Sequence, residues 1–326
     1  MKALALLSGG LDSTLAARLV QAQGIDVAAV NFVSPFCLCG RGGCGAAGMA
    51  KQLQIPLKTI SLGGEYLKIV RKPKHGYGKN MNPCIDCRIL MFKKAKKYAK
   101  EIGASFLFTG EVLDERPMSQ HRRALDIIEK EAGLEGMIVR PLSAELLPMT
   151  KVEKKGWIDS EKLLGIRGRS RKKQIELIKQ FNIKDYPCPA GGCLLTYKDY
   201  AAKIRDMFEH KKRIRIKDVL LLKIGRHFRF EENRVIVGRN KTENERLRDL
   251  KDLNDYYFEV PDCGSPLTIL QGPKEEKAIE IAAALTARYS DSKEKRIMVG
   301  FGQQELDKSI RAPNLSNEEI EKLRIK

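Results

Sequence analysis

The chain has 326 residues, of which 60 are Lys or Arg and 41 are Asp or Glu, giving a formal net charge of +19. This length exceeds what one hydrophobic core usually serves, and no apolar run approaches the roughly 20 residues of a membrane span, so we expect two domains and no membrane segment. The first residues lack the pattern of a secretory leader, which favours a cytoplasmic protein with reduced cysteines, and the positive charge favours a polyanionic partner.

The first half of the chain alternates short apolar runs with helical patterns. Strands are predicted at 3–7, 27–33, 57–62, 106–109 and 137–139, and helices at 14–23, 46–53, 89–102 and 171–181. Such alternation predicts an α/β domain with a parallel sheet, helices on both faces and a ligand site at the carboxyl ends of the strands.

The pattern changes after about residue 205, where short strand candidates dominate. These candidates lie at 219–224, 227–230, 234–237, 256–260, 267–270 and 296–301, with a helix at 274–289. We therefore expect two domains, 1–205 and 206–326, with a linker in the charged segment 209–217 and a smaller α+β second domain. The polar tail after Ala312 is expected to be partly disordered.

A glycine turn joins the first predicted strand to the first helix. It is the segment Ser8–Ser13, with the sequence SGGLDS. A strand that turns through glycines into a helix forms an anion site, because the backbone can approach the ligand and the helix N-terminus favours negative charge. The spacing matches neither the Walker A loop nor the dinucleotide fingerprint. The alternative is an ordinary glycine-rich turn capped by Asp12 or Ser13.

The eight cysteines are grouped. Cys84 and Cys87 form a Cys-x-x-Cys pair at the start of a helix, where thiolates are stabilised and can converge on a metal. A third thiol, Cys193, would complete a three-cysteine site with an open position, which suits a catalytic iron–sulfur cluster better than a closed zinc site. The competing interpretation is a relay, with a persulfide on one cysteine and a second cysteine resolving it. Cys188 is a weaker candidate, because its flanking prolines make a packed thiol equally plausible.

Three further cysteines follow the second strand. Cys37, Cys39 and Cys44 could bind zinc or pass sulfur onward, or could belong to a glycine-rich loop over the adenine site. This group lacks an evident fourth ligand, and His75 is the one candidate for it. Cys263 is expected to be a structural thiol.

The SGGLDS turn resembles the PP-loop of ATP pyrophosphatases, which split ATP between its α and β phosphates and leave AMP on the substrate. The turn, the Cys-x-x-Cys pair and the later loop cysteine together resemble tRNA thiouridine synthetases of the 4-thiouridine and 2-thiouridine types. The chain is most similar to members that use a three-cysteine 4Fe–4S cluster without a rhodanese domain. This resemblance implies ATP binding at Ser8, Gly9, Gly10, Asp12 and Ser13, and cluster ligation by Cys84, Cys87 and Cys193.

The second domain carries a different resemblance. The segment 234–247 resembles the RNA-binding module of NFACT proteins, although the usual aromatic-His segment is replaced by 255–258, with the sequence DYYF. The resemblance implies RNA contacts at Arg239 and Lys241. The 4-thiouridine enzymes carry an N-terminal THUMP-type domain for this purpose, which this chain is expected to lack.

Basic runs at 93–100, 167–173 and 211–217 offer a surface for tRNA. A single run is more often a solvated face, but three runs in so basic a chain favour phosphate contacts. We expect Arg169, Arg171 and Lys172 to contact backbone phosphates.

These features predict ATP-dependent thiolation of a tRNA base, with uridine and the 4-thiouridine type favoured by the resemblance. A carbonyl oxygen is a poor leaving group, so ATP would adenylate it before sulfur attacks the carbon. Asp12, Cys84 and Cys193 are the predicted catalytic residues, with Asp12 binding Mg²⁺ or orienting pyrophosphate. Glu111 and Asp114 could bind metal, orient substrate or lie on the surface. The sulfur donor is expected to be inorganic sulfide or a cysteine desulfurase.

Two rival functions share parts of this pattern. A PP-loop enzyme that adenylates a small molecule for amide or nitrile formation would share the first half, but would not need three basic runs and an RNA-binding domain. A non-catalytic RNA-binding nucleotide sensor would leave the cysteine spacing unexplained.

Overall fold

The apolar run at the start of the chain forms the central strand of a parallel sheet. This strand, β1 (Lys2–Leu6), pairs in parallel with β2 (Asp26–Val33) on one side and β4 (Phe106–Thr109) on the other. Ala3, Leu4 and Ala5 are at most 1% exposed. A strand covered on both faces is apolar throughout rather than alternating, which is why this segment reads as a continuous run.

The computed structural model describes residues 1–38, 45–183, 192–294 and 296–326. They divide into two units, Met1–Thr196 and Tyr197–Lys326. Within these ranges, no helix combines the length and the apolar character needed to cross a membrane.

The first unit contains a five-stranded parallel sheet of order β3-β2-β1-β4-β5, which confirms the predicted fold class. The remaining strands and the helices of this unit are β3 (Leu57–Ser61), β5 (Ile138–Val139), α1 (Leu11–Gln21), α2 (Ala46–Gln52), α3 (Gly63–Arg71), α4 (Cys84–Glu101), α5 (Arg122–Ala132), α6 (Lys151–Lys154) and α7 (Lys172–Gln180), with 3-10 turns at Ala144–Leu146, Ser160–Lys162 and Leu194–Thr196. One hydrophobic cluster lies on each face of the sheet, so the carboxyl strand ends are left to carry a site.

The second unit is built on a six-stranded antiparallel sheet of order β11-β10-β8-β9-β7-β6. Its elements are α8 (Lys198–His210), α9 (Ile216–Leu221), β6 (Arg226–Phe230), β7 (Asn233–Val237), α10 (Lys241–Leu250), β8 (Tyr256–Glu259), β9 (Thr268–Gln271), α11 (Glu276–Arg288), β10 (Met298–Gly302), β11 (Lys308–Arg311) and α12 (Asn317–Leu323). Successive residues of β7 pack into different clusters: Val235 and Val237 lie with α11, and Ile236 lies with residues of α9 and α10.

Two predictions in this unit are wrong. Residues 219–221 of the strand predicted at 219–224 instead belong to helix α9, and the other three form a turn. Asp218 closes the first turn of α9 by accepting the Arg215 N–H at 2.7 Å. The tail after Ala312 is ordered by helix α12, where Ser316 forms a capping box and Ile320 is buried. The domain boundary predicted after residue 205 falls inside α8.

Candidate active site

The SGGLDS turn is held in shape by its own hydroxyls. The Gly10 carbonyl accepts hydrogen bonds from Ser13 Oγ and Thr14 Oγ1, each at 3.0 Å, and Ser8 Oγ lies 3.1 Å from Ser13 Oγ. Gly9 has a φ of 78°, in the left-handed region that favours glycine. Helix α1 begins directly after Gly10, without a side-chain cap, so its first N–H groups are available to an anion.

The end of β4 packs directly against this turn. A Cβ atom at Gly110 would lie 2.3 Å from the Ser13 amide nitrogen and 2.4 Å from the Asp12 carbonyl carbon. Because both contacts are with backbone, a side chain at this position would force the strand and the turn apart. Gly110 therefore brings the Thr109–Glu111 segment to the anion site.

The carboxyl group of Asp12 lies where a bound cation would stabilise its charged form. Its Oδ1 atom is buried and lacks a hydrogen-bond partner among the described residues. Burial, and then repulsion from Glu115, raise the pKa of this carboxyl to about 6, although the Arg171 guanidinium opposes the shift. Gln174 lies beside it, fully buried. Carboxylate and amide oxygens are ligands that Mg²⁺ takes, so Asp12 and Gln174 are candidate ligands, and Mg²⁺ binding stays a prediction.

The three predicted ligand cysteines line the same cavity as the turn. This cavity has a volume of about 510 Å³ and lies at the carboxyl ends of the strands. Its walls include Ser8, Gly10, Asp12 and Ser13 from the turn, and Cys84, Cys87 and Cys193 from the cysteine segments. The turn residues are suited to phosphate, and the cysteines are suited to metal or sulfur. The two groups therefore face one cavity although they lie about 70 to 185 positions apart in the sequence.

The three cysteines are half-buried, and their thiols lie close to one another. Burial raises the pKa of all three thiols. The pKa of Cys87 rises to about 11 and that of Cys193 to about 12, and the pKa of Cys84 rises above its ordinary value. The guanidinium of Arg88 partly offsets the shift at Cys84, and the Tyr66 hydroxyl is hydrogen-bonded to Cys87. These thiols are therefore protonated at neutral pH unless a cation stabilises the thiolates.

The three predicted ligand cysteines line the cavity without converging on one point. Within the described ranges, no three His, Cys, Asp or Glu side chains converge on a point that one metal ion could occupy. An iron–sulfur cluster distributes its thiolate ligands over separate irons, so its ligands need to surround a space rather than a point. Cys84, Cys87 and Cys193 all line the cavity, and cluster ligation by them stays a prediction.

Cys37 also lines this cavity, next to Cys193 in an isolated antiparallel bridge. Cys39, Cys44 and Cys188 lie outside the described residues, so zinc binding by the Cys37 group stays a prediction. The candidate fourth ligand of that group, His75, instead contacts Glu131 of α5 at 2.8 Å.

An ion-pair network lies in the wall of the cavity, where it includes the lining residues Glu111 and Arg88. Glu111, 2% exposed, lies 3.1 Å from Arg140 Nε and 3.5 Å from Arg88 Nε, and Arg140 also pairs with Glu129. Desolvation opposes the charge on Glu111, but the two guanidinium groups outweigh it and lower the pKa of the carboxyl. Glu111 thus orients Arg88 at the cavity wall. Asp114, by contrast, pairs with Arg167 at 2.7 Å.

Replacing Arg140 by Met is expected to destabilise the first unit by about 3–5 kcal/mol, because it leaves the buried Glu111 carboxylate short of a partner. The measurement is urea unfolding followed by the fluorescence of Trp157, the single tryptophan, which packs against the core of this unit. The control is Arg122→Met, which removes an exposed pair with Asp126 and should cost less than about 1 kcal/mol. Equal costs would show that the network contributes no more than a surface pair.

The predicted RNA contacts differ in their surroundings. Arg169 and Lys172 are exposed, whereas Arg171 pairs with Glu115 at 3.0 Å, beside Asp12. In the second unit, Lys241 is exposed and Arg239 pairs with Glu243 of the following helix. The structure therefore places Arg171 beside Glu115 and Asp12, which its position in a basic run did not indicate.

The first unit is a parallel α/β domain with an anion-binding turn at the carboxyl ends of its strands, and the second unit is built on an antiparallel sheet. Residues 1–153 match the family model described as thiamine biosynthesis protein (ThiI). Residues 225–324 match the model of the NFACT protein RNA binding domain. These matches confirm both resemblances predicted from the sequence.

Individual relatives cover only part of the chain. A tRNA-specific 2-thiouridylase MnmA of Dichelobacter nodosus is 30% identical over 36% of this chain and 35% of its own length. A probable tRNA sulfurtransferase of Thermococcus kodakarensis is 31% identical over 43% of this chain and 36% of its own. The chain thus spans about a third of the length of these curated relatives. A solved 4-thiouridine synthetase–RNA complex with bound ATP is 23% identical, covering 68% of this chain and 52% of that one, with a TM-score of 0.35.

Proposed function

We propose that this protein is an ATP-dependent tRNA sulfurtransferase that adenylates a uridine carbonyl and replaces its oxygen with sulfur, in the manner of a 4-thiouridine synthetase. The observation that carries the proposal is the shared cavity, which is lined by the anion-binding turn and by three half-buried cysteines. Adenylation and sulfur attack act on the same carbon–oxygen bond, so the groups that serve them must reach one point. The matches of the two units to the ThiI and NFACT models support this assignment.

The turn is suited to hold the phosphates of ATP. The N–H groups at Gly9 and the start of α1 donate to phosphate oxygens, while the Ser8 and Ser13 hydroxyls hold the turn in the shape that presents them. Asp12 would hold Mg²⁺ beside the phosphates, and the ion would offset the cost that burial places on the carboxylate charge. The base oxygen attacks the α-phosphorus, pyrophosphate leaves, and AMP later becomes the leaving group when sulfur adds to the carbon.

The cysteine side of the cavity supplies the sulfur. A 4Fe–4S cluster held by Cys84, Cys87 and Cys193 would keep one iron without a protein thiolate and would so offer a position for sulfide. Arg88, fixed by Glu111, faces the same space and stabilises negative charge on phosphate or thiolate. Inorganic sulfide and a cysteine desulfurase both remain possible donors, and the same thiols could instead carry a persulfide.

The second unit would hold the RNA. Its surface cations include Arg239 and Lys241, on the segment that resembles the NFACT module. Lys203 lies near them in a cation-rich setting, where burial and the charges of Arg234 and Arg239 lower its pKa to about 8. A phosphate placed there would relieve this repulsion, which is what a site for an RNA backbone requires.

Charge reversal at Arg169 and Lys172 is expected to weaken tRNA binding about tenfold or more at moderate salt, and to reduce the salt slope of log Kd by about 2. The measurement is a tRNA titration at several salt concentrations. Arg171 is left intact, because its pairing with Glu115 would confound RNA binding with nucleotide binding. The matched control reverses Lys51 and Lys58, which are also exposed. Equal losses in the two double variants would assign the effect to net charge alone.

The function is tested by ATP–pyrophosphate exchange with and without unmodified tRNA. The proposal predicts exchange that requires tRNA. Exchange without tRNA would favour the enzyme that adenylates a small molecule. Nucleotide binding with no release of pyrophosphate would favour the RNA-binding sensor, and either result would overturn the proposal.

A further inference from the structure

Cys37 and Cys193 face each other across a short antiparallel bridge within the first unit. Two backbone hydrogen bonds flank the pair: the Leu38 N–H donates to the Gly192 carbonyl at 3.3 Å, and the Leu194 N–H donates to the Phe36 carbonyl at 2.8 Å. The cysteines themselves exchange no backbone hydrogen bond in this pattern. They therefore occupy a non-hydrogen-bonded position of the ladder.

This register sets the distance between the Cα atoms of Cys37 and Cys193. Opposed residues at non-hydrogen-bonded positions have Cα atoms about 4.5 Å apart and side chains on the same face of the ladder. Disulfides form between Cα atoms about 4.4–6.8 Å apart. The backbone thus already holds Cys37 and Cys193 within disulfide reach, with no movement of the chain needed.

Both cysteines also open onto the same space. Each lines the cavity that holds the turn, so a small redox reagent that enters the cavity can reach either one. Cys263 is different, since it lies in the second unit. Cys84 and Cys87 lie one helical turn apart on α4 rather than opposite each other in a ladder.

We propose that Cys37 and Cys193 form a reversible disulfide when the protein holds no metal cluster. One thiolate attacks a low-molecular-weight disulfide and releases one thiol, giving a mixed disulfide. The second cysteine gives up its proton to the released small thiolate and attacks the mixed disulfide at the protein sulfur, which forms the Cys37–Cys193 bond and releases the second thiol. Two protein thiols are oxidised and one small disulfide is reduced to two thiols, and a dithiol reductant reverses the change.

The disulfide has a consequence for the site. Cys193 cannot ligate iron while its sulfur is bonded to Cys37, so oxidation protects the thiol and withdraws it from the predicted ligand set. Cys37 is thereby a modification partner of Cys193 rather than a ligand. The pairing itself does not depend on the proposed function, whereas this consequence does.

The experiment uses the full chain, freed of metal by a chelator under reducing conditions and then equilibrated in glutathione buffers of increasing disulfide content. Free thiols are blocked with N-ethylmaleimide, and non-reduced tryptic peptides are identified by mass spectrometry. We expect a linked pair of peptides, 19–41 and 185–198, whose amount rises with glutathione disulfide and falls again with dithiothreitol.

Each of those peptides contains a second cysteine, which provides matched controls. The link is expected to persist in Cys39→Ser and Cys188→Ser and to disappear in Cys37→Ser and Cys193→Ser, with circular dichroism showing that all four variants fold. A link that survives Cys37→Ser, or that never forms in the wild-type protein, would overturn the proposal. Because no ATP, tRNA or iron is present, these outcomes are independent of whether the protein thiolates tRNA.

Discussion

Replacing Asp12 by Asn is expected to lower tRNA-dependent ATP–pyrophosphate exchange by about 100-fold or more and, at the same time, to stabilise the protein. The loss follows because the carboxylate is the charged oxygen ligand for Mg²⁺ beside the phosphates, and losing one such electrostatic group typically costs 10²–10³ in rate. The gain follows because the wild-type carboxylate is buried without a hydrogen bond at Oδ1. A site that costs stability in the free protein is consistent with selection for ligand binding.

The stability gain has a defined dependence on pH. Burial raises the pKa of Asp12 from 3.8 to about 6, so the folded protein holds this proton more tightly than the unfolded chain. Wild-type stability therefore falls as the pH rises from about 4 to 6, by about 1–3 kcal/mol. Asn does not ionise, so the advantage of the variant should be complete above pH 6 and absent below pH 4. The free energy of unfolding, followed by Trp157 fluorescence without nucleotide, measures it.

The matched control is Asp26→Asn, which removes an exposed carboxylate that pairs with Lys2. It should change neither exchange nor stability appreciably, since exposed pairs contribute little. An Asp12→Asn protein that is less stable than the wild type at pH 8 would show that the carboxylate has stabilising partners in solution. Normal exchange in that variant would remove Asp12 from the proposed mechanism.

Replacing Cys84 or Cys193 by Ala is expected to abolish cluster binding. Protein purified without oxygen should absorb broadly at about 400 nm and contain iron and sulfide, and either variant should lose these signals. Thiolation should fall by more than about 100-fold, because even the loss of an outer-shell partner costs 10–100-fold in metal affinity. The measurements are the absorption spectrum, iron and sulfide content and the yield of thiolated nucleoside.

Cys263→Ser is the control for these variants, because Cys263 lies in the other unit and should leave spectrum and activity unchanged. Other results would select among the alternatives left open by the sequence. Protein free of iron and zinc that thiolates tRNA from a persulfide donor would favour the relay. Zinc without iron would make the cysteines structural and would contradict the cluster.

Much of the fold could be predicted because its determinants are local. The run 3–7 lacks polar residues, as a strand buried on both faces requires, and β1 lies there with a shift of one residue. The error at 219–224 arose because apolar residues there fit a strand or a buried helix, and the capping carboxylate of Asp218 decides for the helix. The tail helix α12 depends on the Ser316 capping box and on one buried apolar residue, Ile320. A single apolar residue gives no helical periodicity, so this helix was not predicted from the sequence.

The short motifs of the site could be predicted from the sequence, but the contacts between residues distant in the sequence could not. The turn and the Cys-x-x-Cys pair are short motifs, so their chemistry can be inferred from spacing. The pairing of Cys37 with Cys193 joins residues more than 150 positions apart, and no local pattern indicates such a register. The same holds for Arg140, whose partner Glu111 lies 29 residues earlier.

The central claim is tested most directly by following sulfur into the nucleoside. The protein, kept free of oxygen, is incubated with unmodified tRNA, ATP, Mg²⁺ and sulfide, and the tRNA is digested and analysed by mass spectrometry. The account predicts thiouridine that forms only when ATP is present, with one AMP released for each thiolated base. AMP and pyrophosphate released without sulfur in any nucleoside would contradict it.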